Sequence, residues 1–295
     1  MGSVCTIRQA WQWASSFLQE KGTASPEFEA ELLVRRCLEV DRARFFTMWN
    51  QPWPAEVQEQ LSGWLERRAQ GEPIQYILGD QEFYGRLFQV NPSVLIPRPE
   101  TEILVETVLQ EAEKEWGDQP LHVVDVGTGS GAIAVTLAAE RPHWEVTAID
   151  VSKEALNMAR QNARQHQVEE RIMWIHGEYL TPLLQGKAPL DILVSNPPYI
   201  PSAEVHGLEK QVSQFEPRLA LDGGEDGLDP YRVLTNQLAQ WNQPVQLVCF
   251  EIGADQGKAV STLVANIAGQ GEVSVRKDLA GLDRVVAGWI RRKER

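Results

Sequence analysis

Residues 121–140 read LHVVDVGTGSGAIAVTLAAE. Leu121 to Val126 form a short apolar run behind Gly117, Asp118 and Pro120, which predicts a buried strand. Asp125 to Gly131 then run Asp-Val-Gly-Thr-Gly-Ser-Gly, and Gly131 to Glu140 predicts a helix. Glycines at such a junction allow a tight turn and a close approach of backbone to ligand. Free N–H groups at the helix start attract a carboxylate or phosphate. Asp150 ends the next apolar run, Trp144 to Ile149, where a carboxylate suits the hydroxyls of a ribose.

Working outward, the same alternation continues. Further strands are predicted at Ile172 to Ile175, Leu190 to Val194 and Val245 to Phe250. Helices are predicted at Glu102 to Trp116, Lys153 to His166, Tyr231 to Trp241 and Gln256 to Ile267. Strands separated by helices imply βαβ units and a Rossmann-like, mostly parallel α/β sheet covered on both faces. Glu272 to Val275 and Arg284 to Ala287 have no helix between them, so an antiparallel C-terminal strand pair should close the sheet. Upstream, Ile7, Trp11, Ala14 and Phe17, then Phe28, Leu32 and Leu33, then Val57, Leu61 and Leu65 recur at helical spacing. Ser25-Pro26 with Glu27 and Glu29 reads as a helix start. The expected domains are a small all-helical module over 1–72, a hairpin linker over 73–95, and an α/β domain over 96–295.

The 295 residues are 43% hydrophobic and 23% charged, an ordinary globular balance that excludes a mainly disordered chain. The formal charge is −13. It is negative on both sides of Val90, with nine basic against twelve acidic residues up to that point and 19 against 29 after it. A dedicated duplex binder needs clustered Lys and Arg to displace counterions, so that class is disfavoured. The run Arg291 to Arg295 reads as a solvated tail. Cys5, Cys37 and Cys249 are odd in number and far apart, which gives neither a disulfide framework nor metal-ligand spacing. Cys249 lies in an apolar strand and reads as an inert buried thiol. No run approaches the ~18 apolar residues that span a bilayer, so a cytoplasmic protein with no membrane partner is the expectation; a monomer is expected, though nothing in the sequence fixes the oligomeric state. Met1 to Thr6 formally fits a myristoylation pattern but lacks a polybasic second anchor.

A dinucleotide and S-adenosyl-L-methionine remain open at the glycine loop, because Gly127, Gly129 and Ala132 also satisfy the relaxed dinucleotide fingerprint. A second constellation chooses between them. The strand Leu190 to Ser195 runs directly into Asn196-Pro197-Pro198-Tyr199. Two prolines fix φ and remove two donors, so the turn offers carbonyl oxygens and one amide side chain. A planar –NH₂ group can give its hydrogens to the Asn196 side-chain oxygen and the Pro197 carbonyl, with Tyr199 stacked on its plane. Such a nitrogen is a weak nucleophile, and positioning and polarisation are what an enzyme must supply.

These residues resemble the class I S-adenosyl-L-methionine-dependent methyltransferases that act on planar exocyclic nitrogens. Leu95 to Glu102 (LIPRPETE) and Ala220 to Leu228 (ALDGGEDGL) narrow the resemblance to the release-factor glutamine methyltransferases, also called PrmC or HemK. It covers nearly the whole chain. The resemblance implies methylation of the side-chain amide nitrogen of the glutamine in the Gly-Gly-Gln motif of class-1 peptide chain release factors. It also implies that Gly127, Thr128, Gly129, Ser130 and Gly131 wrap the methionine part of the cofactor and that Asp150 holds its ribose. Asn196 would touch cofactor and glutamine, with Pro197, Pro198 and Tyr199 completing the glutamine site. Where the family can carry Trp after an acidic residue beside the adenine, this chain has Glu178-Tyr179, and Tyr179 can stack there. The helical module and hairpin resemble the family's substrate-protein-binding region.

Other readings stand beside this one. Arg98 and Glu100 to Glu102 can simply shape a linker into an acidic helix start. Asp222 to Asp226 is either a glycine-rich surface loop or a flap. Trp11, Trp49 and Trp64 read as core. No metal is implied, since the five histidines show no ligand spacing. The rival functions are a nucleic-acid adenine amino-methyltransferase and a non-catalytic, cofactor-dependent docking module for translation factors, with a dehydrogenase the weakest.

Overall fold

The computed structural model describes residues 5–184, 189–241 and 246–291. Met1 to Val4 of the myristoylation pattern, Val245 of the expected strand and most of the Arg291 to Arg295 run lie outside them. The chain divides into two compact units, one of residues 1–79 with 210–215 and one of 80–209 with 216–295.

The first unit is helical: α1 (Ile7–Glu20), α2 (Pro26–Cys37), α3 (Arg42–Thr47), α4 (Gln58–Ala69) and α5 (Ile74–Leu78). Thr6 opens α1 with a capping box, its hydroxyl accepting from the Gln9 N–H while the Gln9 side chain accepts from the Thr6 N–H. Pro26 sits at the start of α2 over an acidic first turn, as the sequence predicts. Ile7, Ala14, Leu18, Leu33, Phe45, Leu61 and Leu65 meet in one core. Trp11, Trp49 and Trp64 are partly buried there or against its rings.

The second unit opens with a hairpin, β1 (Asp80–Phe83) and β2 (Arg86–Gln89). The hairpin is shorter than the sequence predicts. Ile74 to Leu78 form one helical turn, started at Pro73 and stopped by Gly79 at φ +85°. Tyr76 and Ile77 are buried by that turn. Five residues are too few for periodicity to separate helix from strand. Then follow α6 (Pro99–Trp116), β3 (His122–Val126), α7 (Ala132–Glu140), β4 (Glu145–Asp150), α8 (Lys153–Gln165), β5 (Ile172–His176) and β6 (Ile192–Ser195). The short α9 (Lys210–Ser213) lies in the segment counted with the first unit. The chain ends with α10 (Asp229–Ala239), β7 (Leu247–Glu251), α11 (Gly257–Ala268), β8 (Val273–Lys277) and β9 (Asp283–Trp289). Helix α6 begins three residues earlier than expected because Pro99 takes its first position behind an extended Arg98.

The seven strands lie in the order β5-β4-β3-β6-β7-β9-β8. Strands β3 to β7 are parallel to their neighbours among themselves, and β9 is antiparallel to both β7 and β8. The closing antiparallel pair is as the sequence predicts. Side chains alternate between two cores. Val123, Ile192, Val194, Leu247 and Cys249 pack toward α6 and α7. Val124, Leu193, Val248 and Phe250 pack toward α10 and α11. Helix α7 is buried from Ala132 through Ala138, which explains why its sequence is apolar on every side. Strand order reverses between β3 and β6, and open α/β sheets bind ligands outside the carboxyl ends of the strands at that point. Among the described residues no helix is long and apolar enough to cross a membrane.

Candidate active site

A cleft of about 240 Å³ opens at the carboxyl ends of β3, β4 and β6. The glycine loop forms one wall. The Gly127 and Thr128 N–H groups donate to the Ile149 carbonyl at 2.8 and 3.1 Å, and the Gly129 N–H donates to Asp150 Oδ2 at 2.8 Å. The second Asp150 oxygen accepts the Ser152 N–H at 2.8 Å. One carboxylate therefore fixes the loop after β3 and the start of α8 together. Burial pushes the Asp150 carboxyl up, against the pull of those backbone donors and of His176.

Gly127, Thr128, Gly129, Ser130 and Asp150 all line the cleft. A Cβ at Gly129, φ +56°, would meet nothing within 4 Å, so the backbone there is open. Gly131 differs: it does not line the cleft, and a Cβ on it would stand 3.0 Å from Ala159 Cβ. Its place is the close packing of α7 on α8, the job of the third glycine in such loops. Helix α7 has no side-chain cap at its start, and Ala132 and Ile133 line the cleft. Its first N–H groups are thus available to an anion.

Asp125 is fully buried behind the loop. Thr128 Oγ1 donates to its Oδ2 at 2.7 Å, while Oδ1 has no hydrogen-bond partner among the described residues. Burial, reinforced by Asp150, pushes its carboxyl up to about 7 despite the Thr128 hydrogen bond.

Asn196 sits across from the glycine loop. Ser195 Oγ donates to the Val126 carbonyl at 2.6 Å and ties the ends of β6 and β3. Asn196 Nδ2 donates to Thr101 Oγ1, in the first turn of α6, at 3.2 Å. Its nitrogen is thus engaged, and Oδ1 is the atom it can offer as an acceptor. Pro197 and Pro198 line the cleft with it. Tyr179 also lines it, in a left-handed backbone conformation at φ +51°. That conformation costs a non-glycine residue ~1 kcal/mol or more and clusters at ligand-facing positions.

Tyr199 departs from the sequence expectation. It does not line the cleft; its ring packs against the α10 and α11 core. Burial pushes its hydroxyl up to about 12, with Glu251, Arg284, Arg98 and Glu100 around it. Gln256 Nε2 donates to its carbonyl at 2.9 Å. The loop Asp222 to Gly227 is neither free nor detached. A Cβ on Gly223 would stand 2.7 Å from the Pro198 carbonyl, and one on Gly227 2.3 Å from the Tyr199 carbonyl. Only glycine lets this loop lie so close to the Asn-Pro-Pro-Tyr turn. Asp222, held low by Ser202, the Gly224 N–H and Arg218, shapes it from within.

Arg98 pairs with the buried Glu216, and Glu102 accepts the Tyr84 N–H at 2.7 Å. These contacts tie the start of α6 to Glu216 and to the hairpin. Thr101, between Arg98 and Glu102, is a cleft residue that the sequence reading passed over, as is Leu219, 60% exposed on the cleft's lining; Glu251, at the end of β7, was passed over too, and it is buried and does not line the cleft. Among the described residues no group of three His, Cys, Asp or Glu side chains could hold a metal ion.

Comparison with known proteins follows the same lines. A family model for the PrmC N-terminal domain matches residues 9–79, and one for the methyltransferase small domain matches residues 99–216. The chain is 41% identical over 284 residues to a protein of Bacillus anthracis named release factor glutamine methyltransferase, covering 96% of this chain and 99% of that one. It is 40% identical to the Bacillus subtilis protein of the same name, covering 98% and 99%. Among solved structures, the hMettl16 catalytic domain in complex with an RNA hairpin is similar with a TM-score of 0.57 at 16% identity, over 78% of this chain and 83% of that one. A human methyltransferase 10 domain containing protein is similar at 0.51 and 16% identity, over 70% and 88%. At these identities the structures share the fold alone.

Proposed function

The chain belongs to the release factor glutamine methyltransferase family, and from that premise we propose that it methylates the side-chain amide nitrogen of the Gly-Gly-Gln glutamine in class-1 peptide chain release factors, with S-adenosyl-L-methionine as donor. The observation that carries the reading is one cleft holding both an open glycine loop closed by Asp150 and, opposite, Asn196 with its nitrogen engaged by Thr101. The loop suits the cofactor: open backbone at Gly129, an uncapped helix start for its carboxylate, and a carboxylate at the end of β4 for its ribose. Tyr179 supplies a ring beside the position an adenine would take.

Bound S-adenosyl-L-methionine supplies a methyl group on a cationic sulfur, an electrophile with its leaving group already activated. The chain's own residues prepare the nucleophile. An amide nitrogen has its lone pair delocalised, so Asn196 Oδ1 and the Pro197 carbonyl accept its two hydrogens, turn its plane and raise its electron density. Pro197 and Pro198 bring no N–H to compete for those acceptors. Tyr199 supports the turn through its buried ring and its carbonyl, held by Gln256. The proton leaves the substrate nitrogen after the methyl group has arrived.

The test is intact-mass and peptide mapping of a class-1 release factor incubated with the protein and S-adenosyl-L-methionine, beside a DNA sample. One methyl on the Gly-Gly-Gln glutamine is expected. Methylated adenine with unmodified protein would overturn the substrate.

The helical unit, we infer, is a domain that grips a second surface of the release factor, so that remote contact supplies binding energy for orienting the glutamine. Phe28 and Phe46 are 57% and 43% exposed on it, and exposed aromatics are frequent anchors of interfaces. The Phe28→Ser, Phe46→Ser double variant should raise KM for the whole release factor about tenfold, equivalent to ~1.4 kcal/mol. KM for a short Gly-Gly-Gln peptide should not move. Equal effects on both substrates would discard the grip. Translation factors as the proposed substrates support a cytoplasmic site of action.

A further inference from the structure

Glu251 closes β7 and is 2% exposed, and its Oε2 has no hydrogen-bond partner among the described residues. Ser195 and Phe250 are register partners on β6 and β7, so Asn196 and Glu251 are the next residues on adjacent strands. By the alternation of the sheet, both continue the face of Val194 and Cys249, the face covered by α6. Thr101 stands in the first turn of that helix. Thr101 and Asn196 lie close enough to the Glu251 carboxylate to favour its ionised form, and Asn196 Nδ2 donates to Thr101 Oγ1 at 3.2 Å.

The charged and titratable groups around it are Glu100 from α6, Arg284 from β9, Tyr199 from the turn and Tyr231 from α10. Tyr231 gives its hydroxyl hydrogen to the Glu251 backbone carbonyl at 2.7 Å rather than to the carboxylate. Arg284 is already bonded to Asp278 at 2.8 Å. A carboxyl group buried with no ion-pair partner of its own is costly. A site that only needed filling would take an apolar side chain.

An asparagine amide has two nearly isosteric orientations, one presenting oxygen and the other two N–H donors. Only the first can receive a substrate amide's hydrogens. We propose that Glu251 is a positioning residue for Asn196: its ionised carboxylate and Thr101 Oγ1 take the two hydrogens of the Asn196 amide, so that Oδ1 faces the substrate nitrogen. A protonated Glu251 can instead donate its O–H to Oδ1 and favour the orientation that repels the substrate. Burial, together with Glu100, pushes this carboxyl up to about 7, against Thr101, Arg284 and Asn196. The change of orientation therefore falls near neutrality. The direction of the substrate rests on the methyl-transfer reading; the orientation of Asn196 does not.

Two measurements test this on the full chain. In the first, kcat on the release factor at saturating cofactor should rise between pH 6 and pH 8 in the wild type. Glu251→Gln should lose about tenfold or more at pH 8 and flatten that rise, with cofactor affinity unchanged. Thr101→Val should lower kcat in the same direction. In the second, the side-chain ¹⁵N–¹H₂ signals of Asn196, identified by their absence in Asn196→Asp, should titrate with one transition near 7 in the wild type. They should be flat in Glu251→Gln. A flat wild-type signal, or an unchanged rate profile in folded Glu251→Gln, would overturn the proposal. A titrating signal in a protein that methylates no release factor would leave the positioning of Asn196 standing and remove the proposed substrate.

Discussion

Asn196→Ala is expected to lower kcat on the release factor by about 10²- to 10³-fold, the range found when one preorganised polar group is removed from a transition state. Affinity for S-adenosyl-L-methionine stays within a few-fold, because the glycine loop and Asp150 do not depend on the Asn196 side chain. The turn itself should hold. Ser195 Oγ still bonds the Val126 carbonyl, the two prolines still fix φ, and Gln256 still holds the Tyr199 carbonyl. On the proposed mechanism, what disappears is the acceptor that orients the substrate nitrogen, so the loss should fall on turnover rather than on cofactor binding. Asn196→Asp is an instructive partner, since it keeps an acceptor of the same shape. It also puts a second carboxyl beside Glu251, and two carboxyls sharing a site do not both ionise readily. It should recover only part of the activity, most of it where one of the two is protonated. Stopped assays with calorimetry of cofactor binding separate these effects, and an alanine variant keeping more than about a tenth of wild-type kcat would remove Asn196 from the site.

The cofactor half of the cleft was legible because its parts are neighbours in sequence. Strand β3, the turn Gly127 to Gly131 and helix α7 follow one another without interruption, and each reports its conformation through local chemistry. Apolar runs fix the buried strands, and glycines at φ +75°, +56° and +81° mark the turn. The switch point follows from chain order and parallel pairing. The acceptor half was legible only as a turn. Asn196, Pro197 and Pro198 are where the pattern puts them, but the direction of the Tyr199 ring is decided by what it packs against, the α10 and α11 core.

Thr101 and Glu251 were invisible for the same reason. Thr101 reaches Asn196 across 95 positions of sequence. It lies in a stretch whose prolines and glutamates have sufficient reason to be there as a helix start. Glu251 reads as the polar end of an apolar strand. The available signal was a carboxylate at the carboxyl end of a central parallel strand, the same signal that identified Asp150 on β4. Asp150 followed a glycine loop at a familiar spacing, whereas Glu251 had only its strand to recommend it. The loop after Leu221 could be read only as a surface loop or a flap, because the reason for Gly223 and Gly227, backbone lying against backbone of the Asn-Pro-Pro-Tyr turn, is a contact between segments distant in sequence.

Asp150→Ala is expected to weaken S-adenosyl-L-methionine binding by about 10²- to 10⁴-fold, since hydrogen bonds to a charged group contribute ~1.5–3 kcal/mol each and a ribose offers two. Two further contacts go with the side chain, those to the Gly129 and Ser152 N–H groups. The loop therefore loses the anchor that keeps Gly129 facing the cleft, and part of the loss is loop disorder rather than missing ribose contacts. Asp150→Asn distinguishes the two. Its single oxygen can serve one N–H group, and its NH₂ must then face the other donor, so the loop is no better held than with alanine. The asparagine variant should bind nearly as weakly as the alanine variant despite its shape. With cofactor raised to saturation, kcat in both should return to within a few-fold of wild type, the reverse of the Asn196→Ala pattern, because the acceptor turn is intact. Calorimetry of cofactor binding and a cofactor titration of kcat are the measurements. An asparagine variant binding within threefold of wild type would mean that the carboxylate charge and its backbone contacts do not hold the cofactor loop.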